Sequence, residues 1–233
     1  MDQAFPETLC VAGSDTRVLW RRSKRARRVS LRIEPKAGTV VVTLPPRAGR
    51  KAGLALLAEH AGWVAASIAA LPGAIPFAPG AVVPLAGVDH RICHSPEARR
   101  GAWLAPGLIC VCGEPAFLAR RVRDLLRDEA QRRLSALAEE KARRIGLKPR
   151  RVRIRDTRSR WGSCGSDGSL AFSWRLVMAP PFVQDYVAAH EVAHLRHMNH
   201  GPRFWALVRE LTPYTEAAIT WLHDQGTRLV RIG

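Results

Sequence analysis

The stretch "AAHEVAHLRHMNHGPRFW", residues 188–205, packs four of the chain's eight histidines and one glutamate into eleven consecutive positions. His190 and His194 are four residues apart, so on a helix they stand one turn apart and about 40° apart around the axis. Two imidazoles so placed can reach one metal ion. Glu191, beside the first of them, projects near the ion's open coordination position. There a carboxylate can take a proton from water and pass it to a leaving group. The residue types suit the chemistry, because neutral imidazoles leave zinc strongly Lewis acidic. By composition H-E-x-x-H arises in about one chain in a hundred, and a further histidine ten residues after the first makes chance a poor account of the pattern. A solvated helix face with surface histidines is therefore the weaker reading.

A catalytic zinc takes three protein ligands and keeps a fourth position open. His197 shares the helix face, but seven residues from His190 it lies about 10 Å along the axis, an awkward reach. His200 follows the predicted helix, next to Asn199 and Gly201, where the chain can turn back. It is the preferred third ligand, with Glu210 on the next helix as the weaker choice. The spacing H-E-x-x-H-x-x-H-x-x-H approaches the metzincin pattern. However, His197 occupies the glycine position of those enzymes and no methionine follows residue 198, which argues against that clan.

Periodicity supplies the elements that must hold these residues. "RRVSLRIEP" and "GTVVVTLPP" around "KAG" predict a hairpin, and "RKAGLALLAEHAGWVAASIAAL" predicts one helix ending before Pro72. "AVVPLAGVDHRICHS" and "AWLAPGLICVCGE" predict further strands, with the polar turn "PEARRG" between them. From Pro115 the period becomes helical: Leu118, Val122, Leu125, Leu126, Leu134 and Leu137 predict a long amphipathic helix over 116–145, closed by Gly146. In "RRVRIRDT", Arg151, Arg153 and Arg155 alternate with Val152 and Ile154, a strand with one basic face. "LAFSWRLVMA" is its partner strand, after the turn "GSDGS". Pro180 and Pro181 open the helix carrying the histidines, which runs to the break at Asn199–Gly201–Pro202. Two more helices follow, "PRFWALVREL" and roughly 214–226. No internal repeat is visible. The class is α+β, a β-rich region over 1–113 followed by a helical domain with a small sheet over 114–233.

With 47% hydrophobic residues among 233, a packed core is expected. No run of 18 apolar residues occurs, and "MDQAFPETLCVAG" has no secretory pattern, so the expectation is a cytoplasmic protein with no membrane partner. Five scattered cysteines fit reduced thiols. The net charge of +17 suggests an acidic partner, with an arginine-rich surface as the plainer alternative. Two basic clusters stand out. One is Lys148, Arg150, Arg151, Arg153, Arg155, Arg158 and Arg160; the other is Arg21, Arg22, Lys24, Arg25, Arg27 and Arg28. Such density could bind polyanions. Sparse aromatics and the lack of a C-x-x-C zinc ribbon weigh against a protease acting on DNA-bound protein.

Other candidates carry less. "WGSC", Trp161 to Cys164, reads equally as a cleft-lining strand and as a tight turn with a packed Trp and buried Cys. Cys110 and Cys112, with Cys93 or His94, could form a second metal site but read better as core thiols. His60, His90 and His223 are isolated. Tyr214, His223, Arg203 and Arg160 are minor candidates for stabilising an oxyanion.

Taken together, "RSRWGSC", "SLAFSWRLVMAPPFVQDYVAAHEVAH" and "NHGPRFW" closely resemble the YgjP-like metallopeptidase family, a group of bacterial SprT-like zincins also described as predicted metal-dependent hydrolases. "RRSKRARRVSLRIEPKAGTVVVTLPP" is similar to that family's N-terminal β-region. The resemblance implies a minimal zincin-like domain at the C-terminal end, with one zinc ion held by His190, His194 and His200. It implies Glu191 as the catalytic acid/base and leaves His197 without a ligand role. The implied function is zinc-dependent hydrolysis of a polypeptide. One alternative is hydrolysis of an anionic nucleotide substrate, as a nucleoside triphosphate (UTP-type) pyrophosphatase. The other is a basic nucleic-acid-binding module with a structural zinc. Glu191 separates the enzymes from the module, since a structural zinc takes four protein ligands and needs no adjacent carboxylate.

Overall fold

The computed structural model describes residues 4–98, 101–157 and 160–233. Arg99 and Arg100 of the polar turn and Arg158 of the first basic cluster lie outside the described residues. The chain forms two compact units, residues 1–73 and 74–233. The boundary read from the change of period, after residue 113, falls inside the second unit, because the strands before it share a core with the long helix after it.

In the first unit, β1 (Ala4–Val11) and β2 (Ser14–Arg22) form a hairpin closed by Ala12 and Gly13 at φ 50° and 81°. Two positive φ values in a two-residue loop match the right-handed twist of the flanking strands. The predicted hairpin is present as β3 (Ser30–Glu34) and β4 (Thr39–Leu44), and β2 runs parallel to β4, giving the order β1-β2-β4-β3. Thr16, Val18 and Trp20 alternate inward on β2 and meet Val40, Val42, Leu57 and Val64 in the unit's own core. The helix predicted over 50–71 is two helices, α1 (Arg50–Glu59) and α2 (Ala61–Ala69), bent by 69° at His60. Periodicity alone is continuous through the bend. The break lets α1 lie on β3 and β4 while α2 crosses to β1.

The second unit repeats the first sheet's topology in a sequence that shows no repeat. β5 (Val82–Leu85) and β6 (Val88–His94) are joined by Ala86 and Gly87 at φ 51° and 78°. β7 (Ala102–Ala105) and β8 (Leu108–Val111) form the next hairpin, β6 pairs parallel with β8, and the order is β5-β6-β8-β7. Each of the two runs expected to form further strands is a hairpin. Hairpin turns and alternating burial set this topology, and both tolerate wholesale replacement of side chains. The long helix is present as α3 (Leu118–Arg144), with Leu118, Val122, Leu126, Ala130, Leu134, Ala138 and Ala142 buried at four-residue intervals. Gly146, at φ 68°, follows its end.

A third sheet has the order β10-β11-β9: β9 (Arg151–Arg155) is parallel to β11 (Ser169–Ser173), and β10 (Gly162–Cys164) is antiparallel to it. The predicted partner strand ends at Ser173, and Trp174–Met178 form a buried 3₁₀ turn instead. Then come α4 (Pro181–Ala193), α5 (Pro202–Leu211) and α6 (Thr215–Val230). The molecule is a mixed α+β protein. Among the described residues no single helix is long and apolar enough to cross a membrane.

Candidate metal centre

Helix α4 begins with Pro181 in its first turn, where the missing N–H costs nothing. Its buried side, Val183, Tyr186, Val187, Ala189, Val192 and Ala193, packs into the core. This packing fixes His190 and His194 at one margin of the buried face. The helix ends at Ala193, earlier than the periodicity predicts, and His194 is its C-cap. Leu195 N–H donates to Val192 O and His197 N–H to Ala193 O, so the chain winds into a turn. Gly201 N–H donates to Asn199 O at 2.8 Å, and Pro202 opens α5. This early end lets His200 swing back over His190.

His190, His194 and His200 come together, with one potential ligand atom from each lying within 4.8 Å of the others. The Nε2 atoms of His190 and His200 are 3.2 Å apart. Two nitrogens on one tetrahedral zinc at ordinary Zn–N lengths stand about 3.3 Å apart, so this pair has a ligand spacing. His194 Nδ1 is 3.0 Å from His197 O and donates its proton there, which leaves the Nε2 lone pair toward the cluster. His197 therefore contributes its backbone carbonyl, and its ring is not in the group. Burial, and then the neighbouring His194 and His200, push His190 down to about 4, so the imidazole is neutral, the form a metal requires. Its Nδ1 is buried without a hydrogen-bond partner among the described residues. The donor set fits a divalent ion that accepts nitrogen ligands.

Phe204 and Trp205, at the start of α5, wall the cluster. The Phe204 ring lies 4.5 to 5.0 Å from all three imidazoles, and the Trp205 ring is 5.9 Å from His190 and from His200. Sequence reasoning left both without a role. The signal available was their position directly after the break that carries His200. Tyr186, one turn before His190, approaches it edge-on at 5.9 Å, and burial raises its hydroxyl.

Glu191 is 6% exposed, and burial pushes its carboxyl up to about 7, with Arg160 drawing it the other way. A carboxyl poised near neutrality can both accept and return a proton. Gly162 on β10 lies directly against it: a Cβ there would be 2.5 Å from Glu191 Cγ and Oε1. "WGSC" is thus a strand at the site and not only a turn. β10 is an edge of its sheet, with Gly162 on Glu191 and Cys164 half-buried nearby. Trp161 packs its ring on Gly226 of α6, and its carbonyl accepts from Ser173 N–H at 2.8 Å, which anchors the strand.

The remaining candidates lie elsewhere. Glu210 is exposed, its backbone carbonyl accepts from Arg144, and among the described residues it is not in the histidine group. His223 is exposed and bonded to Asp224 at 2.8 Å, Arg203 is exposed, and Tyr214 packs on Phe182. Cys93 and Cys110 face each other across β6 and β8, but Cys112 accepts from Gly101 N–H and His94 is bonded to Gly113 O. Among the described residues these do not form a metal-ligating group.

A buried carboxyl beside three converging imidazoles, walled by aromatic rings and closed by an edge strand, is the kind of centre found in metallopeptidases. The chain belongs to the YgjP-like family, whose metallopeptidase-domain model matches residues 27–225. The family is one of metal-dependent hydrolases of the metallopeptidase type. No significant match to a curated protein or to a solved structure was found.

Proposed function

We propose that this protein is a zinc-dependent peptidase with His190, His194 and His200 as the ligands of one ion and Glu191 as general base and acid. The convergence of the three imidazoles beside the buried Glu191 carries the reading. When bound, the ion supplies Lewis acidity and brings a water to a pKa near neutral. His190, His194 and His200 would hold that ion, and Glu191 would take the proton from the attacking water and return it to the leaving amine. Phe204, Trp205 and Tyr186 pack around His190, which is partly buried, while His200 is exposed and leaves the centre open to substrate. The missing side chain of Gly162 leaves room for the Glu191 side chain, and β10, at the edge of its sheet, offers backbone groups to an extended polypeptide. A three-histidine set leaves an open position, which favours catalysis over a structural zinc.

The test is metal content and turnover measured together, on unfolded polypeptide and on nucleoside triphosphates side by side. Glu191→Gln should keep its metal and lose at least about a hundredfold in turnover. His200→Ala should lose most of its metal, whereas His197→Ala should keep it. Near-full activity in metal-loaded Glu191→Gln, or metal loss in His197→Ala instead of His200→Ala, would overturn the assignment. Turnover of triphosphates but not polypeptides would keep the centre and replace the substrate.

A further inference from the structure

We propose that the outward face of the third sheet is a binding site for the phosphodiester backbone of nucleic acid. The proposal is independent of the metal centre. Arg151, Arg153 and Arg155 are all exposed on one side of β9, while Val152 and Ile154 turn toward the core. Register carries that face across the sheet. Arg151 lies opposite Ser169, Arg153 opposite Ala171 and Arg155 opposite Ser173, and on the far strand Ser163 is opposite Ala171. The floor beside the arginines is therefore made of small side chains, while the bulky Leu170 and Phe172 point into the core. A row of cations borders a floor of small side chains that is partly exposed at Ser163, Ser169 and Ala171 and closes at Ser173, which is buried.

Alternate residues on a strand are about 6.6 Å apart, so the three guanidinium groups repeat at an interval that successive phosphates of an extended strand also span. A solvated face would have its cations interleaved with carboxylates. Here Asp167 serves only one end: it is 3.2 Å from Arg150 and 3.7 Å from Arg151, and Arg151 also bonds Ser169 Oγ at 3.0 Å. Among the described residues no carboxylate forms an ion pair with Arg153 or Arg155. Among the described residues, the partly exposed strip of Ser163, Ser169 and Ala171 carries no aromatic ring on which a base could stack and no side-chain amide to read a base edge, and Trp161 beside it packs its ring on Gly226. Recognition there is confined to the backbone and does not depend on sequence. A phosphodiester strand supplies one charge per repeat whatever its bases, which matches a face where, among the described residues, the charged groups in register are arginines. The net charge of +17 draws such a polyanion from a distance.

The experiment is fluorescence anisotropy of labelled single-stranded and duplex oligonucleotides, titrated with the full-length protein over a range of salt. Three phosphate contacts on a single strand should weaken binding about twentyfold between about 50 and 200 mM salt. The triple variant Arg151→Ser, Arg153→Ser, Arg155→Ser should lower affinity at least about tenfold and flatten the salt slope by about two. A control triple, Arg25→Ser, Arg27→Ser, Arg28→Ser, removes the same charge from the first unit and should leave the slope nearly unchanged. Asp167→Asn, which can keep the bond to Ser169 N–H, should tighten binding. Circular dichroism and metal content confirm that each variant is folded. Tighter binding of single strand than of duplex, or the reverse, identifies which form of the backbone fits. Equal losses in both triples, no loss in the β9 triple, or binding of polyglutamate in preference to both oligonucleotides would overturn the proposal.

Discussion

At the scale of single residues, the site depends on side chains that are small as much as on those that do chemistry. Gly162 is the clearest, because any Cβ there meets Glu191 at 2.5 Å. Gly162→Ala should leave metal content intact and lower turnover about tenfold or more, a cost of about 1.4 kcal/mol at the transition state. Unchanged turnover would show that Glu191 does not need the position it holds. Cys164 beside it is held in the neutral thiol form. Burial, reinforced by Glu191 and Asp167, pushes its thiol up to about 11. Its folded value lies above the unfolded value of 9.0, so the stability it contributes is fully present below pH 9.0 and is lost as pH rises through about 11. At pH 8 an alkylating reagent should modify the exposed Cys10 while Cys164 stays unlabelled, as read by peptide mass. Labelling of Cys164 as fast as Cys10 would contradict the half-buried, neutral thiol.

At the scale of elements, α4 is held by its neighbours through a buried ion pair. Lys141 of α3, 2% exposed, is 2.6 Å from Asp185 of α4 and donates to Leu211 O at the end of α5. Arg144 donates to the same carbonyl at 2.9 Å. One lysine thus ties together the helix that carries the histidines and the helix that starts with Phe204 and Trp205. Lys141→Ala leaves Asp185 with no counter-ion in a mostly buried position, so urea unfolding should show a loss of about 3 kcal/mol. Lys141→Met combined with Asp185→Leu should recover most of it, because a buried pair is worth little more than well-packed apolar side chains. A double variant as weak as the single one would assign the loss to packing and not to the stranded charge.

At the scale of the whole molecule, the two compact units have separate cores. One is built around Val18, Trp20, Val40 and Val42, and the other around α3, the third sheet and α4. All three histidines and Glu191 lie in the second unit. Residues 74–233 expressed alone should therefore fold and bind one metal ion per chain, measured by metal analysis after gel filtration. A fragment that is unfolded or metal-free would show that the site needs residues 1–73. The family match begins at residue 27, so the first unit's β3–β4 hairpin belongs to the shared architecture. Its contribution to turnover would be read by comparing the fragment with the full chain.

The cluster itself was legible in the sequence. Four-residue spacing determines that His190 and His194 share a helix face, and the break at Asn199–Gly201–Pro202 determines that His200 can return to them. The stripe of α3, the β3–β4 hairpin and the alternation of β9 were legible for the same reason: burial at a fixed period is a local property of the chain. The bend at His60 and the end of α4 at Ala193 were not, because the hydrophobic period runs on through both positions. What stops the helices is the surface they pack against. The placing of Gly162 on Glu191, the wall made by Phe204 and Trp205, and the small-residue platform beside the β9 arginines were also invisible. Each depends on the register between strands or on a contact between residues far apart in the chain. Such contacts follow from how sheets and helices stack, which is decided by the packed core and not by any one segment.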